Sequence, residues 1–325
     1  MNDHNEKLVM FPKWQKSLEK DSKQAIEEKR YKDALYLLNQ LIEYDKTSHD
    51  LWIGKLICLM ELGEMEQAED LCQDLVTKED AFYYEYVHIY STILFQTGQY
   101  ELLIELLLEI IEQDDLPESM EQQFQQMLEV SKSLKEDKKS EQALRYINHL
   151  KRAVIEKDDV VQWRIIEKCK HVSIQPYVHE LQQLLVDQAI HPVVKTAIIE
   201  RFLEQQVEEE VEISKYNQTM KIKPSELRKV NSDYSSVNIL GLLEDVEQEN
   251  PTLFDLIKKL CQHYLYVVYP FTPNEEAYPK ISKALEILGY QYLQIERTIN
   301  EQDEVNKYII EIIECNKEYS SIIED

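Results

Sequence analysis

Glycine is nearly missing from this chain: there are 5 in 325 residues, alongside 9 prolines. So few breakers favour long helices and leave little material for loops that cradle phosphates. GxGxxG, GxxxxGK[ST], GxSxG and HExxH are all absent, which removes the motif-level case for nucleotide binding, serine hydrolysis and zinc proteolysis. No apolar run approaches the roughly 18 residues that span a bilayer. The first twenty residues carry charge throughout and hold no signal-peptide core, so a cytoplasmic protein is expected. Cys58, Cys72, Cys169, Cys261 and Cys315 are odd in number and never spaced as CxxC, which reads as buried free thiols in a reducing compartment. His171, His179 and His191 do not match zinc spacing.

Positive charge is also scarce. Lys and Arg number 36 against 62 Asp and Glu, for a net charge of −26, and a nucleic-acid binder needs clustered cations. The imbalance is uneven: residues 51–150 hold 7 basic and 21 acidic side chains, a field that steers a basic partner toward this part. Carboxylates this abundant pair by chance and identify no general acid or base. No catalytic residue, metal or cofactor is therefore expected, and the chain reads as a non-enzyme.

What is present is a repeat. Residues 49–83 hold an apolar stripe with Trp52, Leu59 and Leu62, a stop at Gly63, and a second stripe with Ala68, Cys72 and Leu75. Two short helices joined by a tight turn satisfy that pattern. Ala34, Leu38 and Leu41 repeat the second stripe 34 residues earlier, and Gly98 repeats Gly63 35 residues later. A looser copy puts Ala143, Ile147 and Leu150 in the same order, with its turn in LKEDKKSEQ. A period of about 34 residues with this order of small and large apolar residues resembles the tetratricopeptide repeat of bacterial cytoplasmic proteins. The family's early tryptophan falls on Trp52, its turn glycine on Gly63 and Gly98, its following aromatic on Tyr31 and Tyr100, and its helix B alanine on Ala34, Ala68 and Ala143. Leu103 and Leu56 depart from the pattern at places where a small residue is expected.

The resemblance implies an all-α, TPR-like right-handed superhelix of antiparallel helix pairs over residues 1–157, about four pairs, followed by a helical domain over 158–325. It also implies that the first helix of each pair lines a concave groove that binds a protein or peptide. By register the groove positions are Lys16, Glu19 and Lys23, then Asp50, Ile53 and Ile57, then Glu85, His88 and Thr92. The family's lysine and asparagine clamp for a terminal carboxylate has no asparagine here. In its place LWIGKLICLMEL is apolar on almost every face, with Ile53, Ile57 and Met60 outside the main stripe, and such a helix is normally covered by something. The expected partner-binding residues are Lys16, Lys23, Ile53, Ile57, Met60, His88 and Thr92, serving an adaptor, assembly factor or regulator; a second copy or a later part of the chain could fill the same groove. A peptide-responsive regulator acting on a phosphoprotein or transcription factor is the alternative. It calls for an Asn or Gln that fixes peptide backbone, where the second copy has isoleucines.

The C-terminal part carries one signal of period two. Val211 and Ile213 alternate with glutamates, and Met220 and Ile222 with lysines, around a turn near 215–218. This predicts a β-hairpin near 208–223 docked on helices. Asn250-Pro251 opens a further helix. The loop YPFTPNEEAYP displays Tyr269, Phe271 and Tyr278, suited either to packing a helix corner or to recognition.

Overall fold

The computed structural model describes residues 12–44, 48–113, 116–230, 234–295 and 303–324. Most of the charged N-terminal stretch that lacks a signal-peptide core lies outside them. The chain divides into two compact units, Met1–Asp137 and Lys138–Asp325, an earlier division than the one expected after residue 157.

The first unit holds three helix pairs: α1 (Pro12–Glu27) with α2 (Tyr31–Glu43), α3 (His49–Glu61) with α4 (Met65–Val76), and α5 (Tyr83–Gln96) with α6 (Tyr100–Ile111). The second helices α2 and α4 also pack on the first helix of the next pair. The recurring side chains hold the stack together. Ala34, Leu38 and Leu41, then Ala68, Cys72 and Leu75, then Leu103, Leu107 and Ile110 are all buried. Each buried leucine contributes roughly 1.5–3 kcal/mol over an exposed one.

The turns within the pairs share one hydrogen-bond pattern. At Gly63 (φ 76°) the glycine N–H reaches Met60 O and the next N–H reaches Leu59 O, at 3.0 and 2.9 Å. Gly98 (φ 70°) repeats this with Phe95 O and Leu94 O, the glycine-terminated helix end. The first pair makes the same turn without glycine. Lys29 sits at φ 57°, its N–H on Ile26 O and that of Arg30 on Ala25 O. A left-handed lysine costs about 1–2 kcal/mol, partly offset by the entropy glycine would lose on folding. Lys29→Gly should therefore raise the unfolding free energy by about 0.5–1 kcal/mol; a lower urea midpoint would contradict this. Lys157, Gln206 and Gln294 hold the same conformation at other helix ends, so counting glycines underestimates the turns.

The expected fourth pair does not form. Residues 118–156 are one continuous helix, α7 (Glu118–Glu156), and the expected turn LKEDKKSEQ lies inside it. That segment has neither Gly nor Pro and is rich in Lys, Glu and Gln, so nothing in the backbone stops a helix. Ala143, Ile147 and Leu150 are buried as expected, but as one stripe of this helix.

In the second unit α8 (Asp159–Lys168), α9 (Val178–Val186) and α10 (Pro192–Glu204) precede the hairpin, and α11 (Tyr234–Gly241), α12 (Glu244–Glu249), α13 (Pro251–Val268), α14 (Tyr278–Tyr292) and α15 (Asp303–Ile323) follow it. One part of the core surrounds Ile198 and Phe202 of α10; another joins α13, α14 and α15. Asn250 Oδ1 accepts from Leu253 N–H at 3.1 Å ahead of Pro251, the start that Asn-Pro predicts. His191 serves as a cap, its Nδ1 accepting from Val193 N–H.

The hairpin pairs β1 (Val211–Lys215) with β2 (Gln218–Ile222) antiparallel. Its turn residues Tyr216 and Asn217 both have positive φ, as a two-residue type I′ turn requires. Val211, Ile213 and Ile222 are buried in the core that α9 and α10 share, while Glu212 faces Lys221. The proline and aromatic loop is used for packing: Tyr269 and Tyr278 are buried, donating to Arg228 O and Ser235 Oγ, and Phe271 packs on the core.

Candidate functional site

On α3, Leu51, Leu56, Cys58 and Leu59 are buried. Ile53, Ile57 and Met60 follow at helical spacing on another side. Ile53 and Met60 are half-buried against the core of the second pair, and Ile57 is 39% exposed. The apolar row expected here is therefore present but narrow: Ile57 stands out, and its two neighbours also support the fold.

The polar residues expected beside it fall into two groups. On α1, Lys16 and Lys23 are exposed, and Lys23 Nζ lies 3.0 Å from Asp50 of α3. Asp50 holds the Lys23 pKa up, and Lys23 holds that of Asp50 down. Asp50 precedes Ile53 by one turn, so the charged and apolar rows adjoin. On α5, His88 is half-buried with its ring 6.0 Å from that of Phe124, and Thr92 Oγ1 donates to His88 O at 2.9 Å. Thr92 is thus half-buried and bonded to its own helix. Among the described residues no hydrogen bond or ion pair joins these two to the isoleucines of α3.

A second feature escaped the sequence. The first turns of α3 and α5, with the end of α4, enclose a pocket of about 590 Å³. The His49 ring stacks on Phe82 at 3.8 Å and 11°. His49 Nε2 lies 2.8 Å from Glu85, and its Nδ1 3.1 Å from the hydroxyl of buried Tyr86. Burial is the main cause that pushes the Tyr86 pKa up, with Asp80 and Glu85 adding to it. Lys78 Nζ lies 5.0 Å from the centre of the Trp52 ring. The tyrosine run at 83–90 signalled aromatic packing, but its proximity to His49 follows only from laying one repeat on the next. The other tyrosines also pack: Tyr84 donates to Gln113, and Tyr90 accepts from Gln73.

The five cysteines are free and buried, and burial pushes the thiols of Cys58 and Cys72 up to about 11 and about 12, far from a reactive thiolate. Among the described residues no cluster of His, Cys, Asp and Glu could hold a metal ion, and no helix is long and apolar enough to cross a membrane.

Residues 25–88, from the end of α1 to the middle of α5, match the family model described as tetratricopeptide repeat. The chain is also similar to the TPR repeat-containing protein YsoA of Bacillus subtilis (strain 168), 29% identical over 295 residues that cover 90% of this chain and 88% of the relative. Repeats of this kind mediate contacts between proteins. Three helix pairs in register, the same buried positions in each, and these two similarities show that the chain carries tetratricopeptide repeats in the part that includes residues 25–88.

Proposed function

We propose that this protein is a non-catalytic cytoplasmic adaptor or assembly factor that holds a segment of another protein against the first helices of its repeat pairs. The observation that carries this reading is Ile57, an exposed isoleucine between half-buried Ile53 and Met60, on a helix already buried along its other side. An amphipathic helix laid along α3 would cover this row with its own apolar side. Lys16, Lys23 and Asp50 would meet its polar margin, and His88 and Thr92 would bound the contact from α5. A buried aliphatic anchor surrounded by a polar rim is the usual source of affinity in such contacts.

Ile57→Asp is the test. The full chain and the variant are immobilised and exposed to a lysate of the source cell. Capture of a protein that the wild type retains should fall at least about tenfold, since a carboxylate placed in an apolar contact costs more than the roughly 1.4 kcal/mol this represents. Helical circular dichroism and the melting temperature should stay near wild type, because Ile57 is exposed. Undiminished capture would remove the groove reading, and a collapse of the fold would make Ile57 a core residue.

A further inference from the structure

The pocket between α3, α4 and α5 has the composition of a receptor for a cation. Its walls present the rings of His49, Trp52, Phe82 and Tyr86, and its edge carries Asp50 and Asp80. Neither carboxylate is locked away. Asp50 meets Lys23 only in an exposed pair, and Asp80 Oδ1 accepts from Phe82 N–H at 2.8 Å, leaving acceptor capacity on both. The chain itself indicates what the aromatic wall accepts: the Lys78 ammonium already lies over Trp52. Around the pocket the field is strongly negative, since residues 48–113 hold 2 Lys and Arg against 14 Asp and Glu. Its volume of about 590 Å³ falls within the range of ligand-binding clefts.

We propose that this pocket takes an arginine side chain from the partner segment, stacked on the aromatic wall and paired with Asp50 and Asp80. Arginine fits better than lysine because its planar guanidinium stacks on rings while its edge donates to carboxylates. The inference rests on the reading that this unit binds a protein segment, and it adds the character of that segment: apolar where it meets Ile57, and basic where it meets Asp50, about two turns of α3 away. Lys78 is the resident competitor that the incoming guanidinium displaces.

The probe is a synthetic amphipathic helix of leucine and arginine, compared with the same peptide carrying citrulline, a neutral isostere, for arginine. Its Kd for the full chain is measured by fluorescence anisotropy at physiological salt. Asp50→Asn with Asp80→Asn should raise Kd about tenfold; the amide oxygen that replaces the Asp80 carboxylate can still accept from Phe82 N–H. Glu105→Gln with Glu109→Gln makes the same charge change at exposed positions on α6 and should raise it about twofold or less. Lys78→Met should lower Kd severalfold by vacating Trp52. Equal binding of the citrulline peptide overturns the proposal and leaves apolar contact alone; an equal loss from the α6 pair overturns it and leaves only diffuse attraction. The two readings fail separately. If the Asp50 and Asp80 variant still captures the cellular partner while Ile57→Asp does not, the arginine pocket is wrong and the groove stands. If Ile57→Asp captures normally, the groove is wrong.

Discussion

Lys215→Met should lower the unfolding free energy of the C-terminal unit by about 3 kcal/mol. Lys215 lies at the end of β1 and is 4% exposed. Its Nζ donates to Thr196 Oγ1 at 2.6 Å, Val267 O at 2.9 Å and Tyr269 O at 2.6 Å. Three donors thus meet three acceptors, two of them carbonyls at the end of α13 that the helix itself leaves unpaired. Burial, and next the charge of Lys195, push the Lys215 pKa well below the ordinary lysine value. The three oxygens offset part of that penalty by solvating the ammonium. Methionine keeps most of the stem but takes the ammonium from the Val267 and Tyr269 carbonyls, while Thr196 Oγ1 keeps its bond to Tyr266 O; each buried group left unmet costs about 1–3 kcal/mol. The measurement is urea unfolding monitored by circular dichroism. An unchanged or higher midpoint would mean that removing the buried charge outweighs the lost hydrogen bonds, as happens when buried ions are replaced by well-packed apolar groups.

A change of similar size is expected at a site that touches little. Ser140 is exposed near the middle of α7. Ser140→Pro removes the backbone donor to residue 136 and drives its ring into that carbonyl, at a cost of about 3 kcal/mol or more. Were residues 134–142 a loop between two helices, proline there would be nearly harmless. Helical signal at 222 nm and the urea midpoint should therefore both fall, and a variant that melts like wild type would show that α7 tolerates a break there.

Ser140 also marks where the sequence was misleading. The apolar stripe of the repeat was legible because burial enforces it: Ala34, Ala68 and Leu103 occupy one structural place and are fully buried, where an unpaired polar group would be costly. The hairpin was legible for the same reason, since Val211 and Ile213 must face the core of α9 and α10 together. A turn has no such enforcement. LKEDKKSEQ looks like a loop because it is charged, yet an exposed helical face is charged as well, and only a breaker separates the two. The reverse error occurs at Lys29, where a turn forms without its glycine because neighbouring packing outweighs about 1–2 kcal/mol of strain.

At the candidate site the sequence located the exposed isoleucine but exaggerated the apolar row. Amphipathic spacing says which residues leave the main stripe; it does not say how far the next helix reaches over them. Ile53 and Met60 are partly covered for that reason. His88 and Thr92 lie on the expected helix and are exposed less than expected, because Phe124 of α7 packs beside His88. The aromatic pocket was hidden because His49 and Phe82 are distant in sequence and meet only when one pair stacks on the next.

The claim beneath these expectations is that the first helices of the pairs, and not the second, form the working surface. A photoreactive benzoyl-phenylalanine placed singly at Ile57 of α3, at Tyr36 of α2 and at Leu108 of α6 tests it, since all three positions are exposed. After irradiation in the source lysate, position 57 should crosslink a discrete partner band and positions 36 and 108 should not. Crosslinks from 36 or 108, with none from 57, would place the partner on the other helices and contradict the account.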